Sequence, residues 1–500
     1  MDTLQYLSQG FGVALLPTNL LMAAIGALIG TIVGMLPGLG PINGVALLMP
    51  LAFALKLPAE TALILLTAVY IGCEFGGRIS SILLNVPGDA GAIMTAIDGN
   101  PMARKGEGGV ALSISAWASF VGSTVATAGI VLFAPLLARW ALAFGPAEYF
   151  ALMCFAFACI TGLMGDQPIK AVLAAVIGLS LSTVGLDSNS GVYRFTGDNV
   201  HLSDGIQFIV LVIGLFSVSE ILLMLEHQAN TSGLIRTVGR TLFNGKELMM
   251  TGWTIARSSV LGFIVGVLPG AGATIASAMA YSVEKRINDK DGTFGKGDIR
   301  GVSAPEAANN ASANGSFIPM LTLGVPGSGT TAVMVGALSL YNITPGPALF
   351  TQQPGLVWGL IASMFVSNVL LLFINIPLVG VFTRILLVPN WLLVPGILAI
   401  SAVGVYSVHA TTFDLMLMGG FGFAGYLLRK GGVPMAPLIL GFVLGDMMEQ
   451  NLRRALSITN GELSILWGSP ISMGLWVGVV AMLVVPPLYR RWSRRQAVAA

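Results

Sequence analysis

The sequence predicts an all-α, polytopic transmembrane helical protein built from two inverted-topology repeats with broken helices or re-entrant hairpins. Hydrophobic residues fill 55% of the 500 positions and charged residues only 10%, far below the roughly 25% charged residues of soluble domains. Apolar runs close to the about 20 residues that cross about 30 Å of hydrocarbon recur along the chain. Val110–Ala134, Ile206–Leu225, Leu356–Val379 and Ile471–Leu488 are examples. The third observation is a glycine-proline signature that occurs twice, as Gly34-Met35-Leu36-Pro37-Gly38-Leu39-Gly40 and Gly266-Val267-Leu268-Pro269-Gly270-Ala271-Gly272.

Taken from the N-terminus, Met1-Asp2-Thr3-Leu4 has no basic segment or cleavage site, so no signal peptide is expected to be removed. The first signature follows, and after it comes a second, Asn85-Val86-Pro87-Gly88. In the later half the order repeats, with Gly324-Val325-Pro326-Gly327-Ser328-Gly329 after the first signature. The prolines of the two signatures are 50 residues apart in one half and 57 in the other. Proline and glycine break helices and free backbone polar groups, which hydrocarbon cannot satisfy. Such breaks persist in a membrane only where protein encloses them, and matched breaks in two halves point to a transporter's central site. Residues 1–230 are therefore read as repeat 1, 231–250 as a polar cytoplasmic connector, 251–489 as repeat 2 and 490–500 as a basic cytoplasmic tail. Glu226, His227, Arg236, Arg240 and Lys246 make the connector polar. Roughly a dozen full spans are expected, with shorter hairpins around the breaks.

Charge in the loops orients the repeats. After the first signature, repeat 1 offers Lys56 against Glu60, whereas repeat 2 carries Lys285, Arg286, Lys290, Lys296 and Arg300. After the second signature the bias reverses: Arg104 and Lys105 stand in repeat 1, and Tyr341–Gly355 carries no charge. Cytoplasmic loops collect Lys and Arg, so equivalent loops fall on opposite sides and the repeats are inverted. Residues 98–109, 226–250, 284–300, 429–430 and the tail Arg490-Arg491-Trp492-Ser493-Arg494-Arg495 are placed inside, and 187–205 and 341–355 outside. Arg453 and Arg454 land outside, against the rule, unless their segment is interfacial.

The glycine runs admit three chemistries. A phosphate-binding P-loop requires Gly-Lys-Ser/Thr, but the runs continue Gly40-Pro41-Ile42-Asn43 and Gly272-Ala273-Thr274-Ile275. A dinucleotide fingerprint requires a strand–turn–helix setting that the apolar flanks do not provide. In the third, helix N-termini after the breaks present N–H groups to a carboxylate, and loosened carbonyls coordinate a cation. Gly38, Gly40, Asn85, Gly88, Gly270, Gly272, Thr274, Gly327, Ser328, Gly329 and Thr330 are then the substrate-binding candidates, with Thr331 beside them. Asn43 and Asn309, with Asn310 and Asn314 on the helical face of Glu306, are candidate Na⁺ ligands. Close packing of kinks and helix–helix hydrogen bonds are the plainer explanations. Glu74 and Arg78 sit one helical turn apart in apolar sequence. Arg78 either presents a forked donor to substrate, braced by Glu74, or simply neutralises it.

Other chemistry is not supported. Cys73, Cys154 and Cys159 lie in apolar stretches with neither disulfide nor metal spacing. His201, His227 and His409 are scattered, so no zinc site or catalytic triad emerges and the chain does not read as an enzyme. A net charge of +2 without a basic-aromatic cluster gives no sign of nucleic-acid binding.

Several blocks resemble the large membrane subunit of tripartite tricarboxylate transporters, the TctA-type family. Gly295-Lys296-Gly297-Asp298-Ile299-Arg300-Gly301-Val302 followed by Ala304-Pro305-Glu306-Ala307-Ala308-Asn309-Asn310-Ala311 is the most specific. Gly266–Gly272, Pro319–Gly327, Gly165–Lys170, Gly185-Leu186-Asp187 with Arg194-Phe195, Gly214–Phe216 with Glu220, and Leu440–Gly445 with Glu449 and Arg453-Arg454 also fit. The resemblance spans nearly the whole chain. It implies a multi-pass bacterial inner-membrane secondary transporter for tricarboxylates or related carboxylates. Its partners would be a small membrane subunit and a periplasmic solute-binding protein. It implies no cofactor, but a coupling cation, Na⁺ or H⁺. The family is expected to have small or uncharged residues where Glu74 and Arg78 stand, and a substrate-facing pair there would retune selectivity. A passive carboxylate channel is the alternative reading, and a membrane scaffold or lipid-acting enzyme a third.

Overall fold

The computed structural model describes residues 3–163, 167–187, 189–226, 239–270, 272–386 and 388–499. Residues 227–238, with His227 and Arg236, lie outside the described residues, as do Gly165, Asp166 and Ala271. Among the described residues the strands are confined to one antiparallel pair, β1 (Gly185–Leu186) with β2 (Tyr193–Arg194). Everything else regular is helical, as expected of backbone that has to satisfy itself in lipid.

The first half contains α1 (Thr3–Ala14), α2 (Pro17–Met35), α3 (Gly40–Ala54), α4 (Ala59–Leu84) and α5 (Ile93–Met102). It continues with α6 (Gly108–Ala141), α7 (Pro146–Leu163), α8 (Pro168–Ser182), α9 (Phe208–Val212) and α10 (Ser219–Glu226). The second half begins with α11 (Gly245–Val267), α12 (Gly272–Asn288), α13 (Ile299–Gly315), α14 (Phe317–Leu323), α15 (Gly329–Leu340) and α16 (Leu349–Gln352). After these come α17 (Pro354–Asn375), α18 (Val379–Ile385), α19 (Asn390–His409), α20 (Thr412–Lys430), α21 (Met435–Ile458) and α22 (Pro470–Ala499). Among the described residues seven helices are long and apolar enough to cross a membrane, and five further apolar helices are shorter. Fewer helices than the expected dozen full spans reach this length among the described residues, because the breaks at the signatures leave α3 and α15 short.

The two halves repeat one packing scheme. α4 is buried from Thr61 to Leu83 and α13 from Gly301 to Gly315, so these two helices form the centre. α2 lies along α4, and α11 lies along α13. Glycines set the closeness of both pairs: Gly30 and Gly34 abut the Val69 and Cys73 backbone, and Gly262 and Gly266 abut that of Ala308 and Ser312. This small-residue spacing is how membrane helices approach without side chains between them. The halves also interlock, since α13 packs on α6 of the first half and α4 on α17 of the second.

The loops gather into two groups. Lys105 Nζ donates to the Lys296 carbonyl at 2.6 Å, and Asp98 accepts the N–H groups of Gly295, Gly297 and Asp298 at 2.8–2.9 Å. Gly239 and Arg240 lie against Gly106 and Gly109, joining the start of the second half to the same group. In the other group Tyr341 stacks edge-on against Phe53, and Lys56 and Ser407 share a small pocket with it. Arg453, the residue that strained the charge map, is paired with Glu449 at 2.6 Å and Asp187 at 3.4 Å, and Arg194 is bound to Glu449 at 2.8 Å. Its charge is compensated by Glu449 of α21 and by Asp187 of the 187–205 loop. Asp187 is held below the usual carboxylate range by the Asn189 N–H, the Ser190 hydroxyl and these two arginines. The tail is helical to Ala499.

A cavity at four helix breaks

Each signature breaks its helix in the same way in both halves. α2 ends at Met35, Leu36 turns extended (ψ 120°), and its N–H caps back onto the Val33 carbonyl. α11 ends at Val267, Leu268 turns extended (ψ 122°), and its N–H caps back onto the Val265 carbonyl. Gly38, Gly40, Gly270 and Gly272 all take positive φ, a conformation that disfavours any side chain. The second signatures also match. Asn85 (φ 58°) terminates α4 and Gly324 (φ 71°) terminates α14, both left-handed. Asn85 is thus a helix terminator, and it is absent from the cavity lining.

The two signatures of each half touch. Gly88 lies against the Gly34 carbonyl and donates its N–H to the Gly77 carbonyl at 3.3 Å. In the second half the Gly270 N–H donates to the Gly327 carbonyl at 2.9 Å, and Gly327 packs on Ser316. All four breaks then open on one cavity of about 860 Å³. The first residues of α3, α5, α12 and α15, namely Gly40, Ile93, Gly272 and Gly329, lie in its wall. Four helix N-termini therefore converge on one space, which makes it favourable to anions.

Among the expected substrate residues, Gly38, Gly40, Gly88, Gly270, Gly272, Thr274, Ser328, Gly329 and Thr330 line the cavity. Ser328 also caps α15 through a reciprocal box with Thr331, and its hydroxyl lies 3.2 Å from Tyr70 Oη. Gly327 supports the wall from behind.

Arg78 does not line the cavity. It is 1% exposed, and its guanidinium donates to the carbonyls of Phe75 (2.8 Å) and Leu112 (2.6 Å), to Ser115 Oγ (2.8 Å) and to Asn375 Oδ1 (3.0 Å). It ties α4 to α6 and α17, and no Glu74–Arg78 ion pair forms. Glu74 faces the cavity instead, its Oε2 accepting from Asn309 Nδ2 at 2.8 Å.

The candidate cation ligands divide. Asn43 lines the cavity, donates to the Leu39 carbonyl, and has an Oδ1 without a partner. Asn309 reaches α4 as described. Asn310 donates to Ser119 Oγ at 2.8 Å and Asn314 to Thr127 Oγ1 at 2.9 Å, so both face α6 and neither lines the cavity. Glu306 shares their face, accepting from Thr95 and Ser119.

Sequence reasoning missed three polar cavity residues. Arg429 lies in the wall, bonded through Nη1 to Glu220 and placed over the Phe216 ring at 5.6 Å, with a buried Nε that has no partner. Asp89 and Tyr70 line it as well. Asp89 had a usable signal, since Pro87-Gly88-Asp89 stands where the other half has Pro326-Gly327-Ser328. Arg429 had none, because it comes from a helix far along the chain.

Helices broken at matched points around one shared cavity define a membrane transport subunit. The chain belongs to the tripartite tricarboxylate transporter TctA family, whose description matches residues 20–440. It is 40% identical over 498 residues to an "Uncharacterized 52.8 kDa protein in TAR-I ttuC' 3'region" of Agrobacterium vitis, covering 100% of this chain and 99% of that one. It is also 44% identical over 230 residues to an "Uncharacterized protein in TAR-II ttuC' 3'region" of the same organism, covering 45% of this chain and 95% of that one. No solved structure matches the chain.

Proposed function

We propose that this chain is the large transmembrane subunit of an importer of tricarboxylates or related carboxylates, driven by a cation gradient, with Na⁺ as the coupling ion. The carrying observation is the convergence of four helix N-termini and the Arg429 guanidinium on one cavity. Together they supply N–H dipoles and a forked donor for carboxylates, while the hydroxyls of Thr274, Ser328 and Thr330 add hydrogen bonds. Arg429 takes the part first assigned to Arg78.

Inverted repeats suit this reading. The loop after the first signature meets the Tyr341 group in one half and the Lys105 group in the other, and the loop after the second signature does the reverse. That exchange is what inversion requires. The family's tripartite organisation supports a small membrane subunit and a periplasmic solute-binding protein as partners in the bacterial inner membrane.

The test is uptake of labelled di- and tricarboxylates into proteoliposomes holding this chain, its small partner and the binding protein, with and without a Na⁺ gradient. Saturable accumulation against a gradient is expected in wild type and is lost in Arg429→Ala. Arg429→Lys restores little, because an ammonium lacks the planar fork. Flux that only equilibrates, whatever the ion gradient, would establish the passive channel instead.

A further inference from the structure

A second cluster at the cavity remains unexplained by anion binding. Glu74 is 3% exposed, and no basic side chain pairs with it or with Asp89 among the described residues. Both carboxylates line the cavity. Asp89 Oδ1 accepts the Ala92 N–H at 3.0 Å, whereas its buried Oδ2 has no partner. Asn309 is fully buried, gives its Nδ2 to Glu74, and leaves Oδ1 without a donor.

Asn309 Oδ1 and Asp89 Oδ1 approach each other at Gly91, another residue of the wall, while Asp89 Oδ2 lies against Gly77. A Cβ at Gly91 would run into Asn309 Oδ1 and come within 3.0 Å of Asp89 Oδ1. Buried oxygens without donors cost free energy unless something positive satisfies them. Two carboxylates in a membrane-enclosed space carry the same requirement more strongly. Among the described residues no group of three or more His, Cys, Asp or Glu gathers in a way that could hold a metal ion. Two carboxylates and an amide make an all-oxygen set that suits a hard cation, not zinc or another soft-ligand metal.

We infer that Glu74, Asp89 and Asn309 form a Na⁺ site at the second break of the first half, across the cavity wall from the carboxylate donors. This deepens the transport reading and rests on it. A single Na⁺ would cancel one of the two negative charges and so lower the repulsion that the cavity offers an anionic substrate, which couples the two ligands electrostatically. Sequence reasoning placed Asn309 in such a site with Asn43, Asn310 and Asn314, of which the last two face α6. The acidic ligands come from α4 and the break that follows it.

The experiment is binding of radiolabelled Na⁺ to the purified full-length chain in lipid nanodiscs, run beside the uptake assay. Asp89→Asn and Glu74→Gln are expected to weaken Na⁺ binding at least tenfold. Gly91→Ala removes no ligand, yet should weaken it as well by driving a methyl into Asn309 Oδ1. Asp204→Asn removes an exposed loop carboxylate and should bind as wild type does. Monodisperse Asp89→Asn and Gly91→Ala proteins that bind Na⁺ normally would overturn the site. If their uptake stayed saturable and concentrative, the transport reading would survive that result. Wild-type protein that binds no Na⁺ while a proton gradient alone drives uptake would also overturn it, and would identify H⁺ as the coupling ion.

Discussion

The two Pro-Gly breaks that close the repeats share a backbone and differ in chemistry. Laying Asn85-Val86-Pro87-Gly88 on Gly324-Val325-Pro326-Gly327 sets Asp89 on Ser328, Glu74 on Ala313, Arg78 on Phe317 and Tyr70 on Asn309. Both helices before the break end in a left-handed residue, and both breaks deliver a helix N-terminus to the cavity. The second half then uses a neutral hydroxyl to cap α15, which leaves the dipole free for an anion. The first half puts a carboxylate at the same point, which turns that break towards a cation. A duplicated scaffold thus supplies the cradle twice, and single side chains decide what each cradle holds.

The largest effect should come from breaking the shared backbone. Gly270→Leu forces a side chain onto a positive φ, costing about 1–2 kcal/mol, and drives it into Ile160. Uptake should be abolished while membrane insertion, read by protease protection, is retained; Gly327→Leu should behave alike by colliding with Ser316. Normal transport by both variants would sink the cradle.

Next comes an exchange of the two chemistries. Asp89→Ser should remove Na⁺ dependence, whereas Ser328→Asp should keep the cap but repel the substrate, so that KM rises with little change in thermal stability. Equal sensitivity of both variants to Na⁺ would show that the breaks are not specialised.

Arg78 sharpens the contrast between helix cores. Arg78→Ala removes four buried hydrogen bonds and leaves Asn375 Oδ1 without its donor, a loss of about 1–3 kcal/mol for that group alone, so folded yield and Tm should fall sharply. Any folded fraction should keep the wild-type KM, because the residue does not line the cavity. A raised KM at unchanged Tm would return Arg78 to the substrate site. Smallest is Ser328→Ala, which removes one N-cap at about 1 kcal/mol and should lower Tm by a few degrees.

Much of this was legible in the sequence for a physical reason. Hydrocarbon penalises every unsatisfied backbone group, so a Pro-Gly break inside an apolar run is enough to announce a protein-lined cavity. The four signatures did converge, and nine of the predicted substrate residues line the space. The loops that charge placed inside, 98–109 and 284–300, do meet. Side-chain direction was less legible. Glu74 and Arg78 at i and i+4 suggested an ion pair, yet one faces the cavity and the other bridges α6 and α17. Asn309 and Asn310 are neighbours in sequence but point to α4 and α6 respectively.

The sequence by itself thus determined the solvent of the protein, the positions of its breaks and the duplication of its plan, because composition and helix-breaking chemistry act locally. Tertiary structure alone decided which polar groups serve the cavity. Whether a buried arginine or amide meets a ligand or a neighbouring helix depends on which helix packs against that face. Here α6, α17 and α20, distant in sequence, took Asn310 and Asn314 out of the site, claimed Arg78 for the scaffold and brought in Arg429.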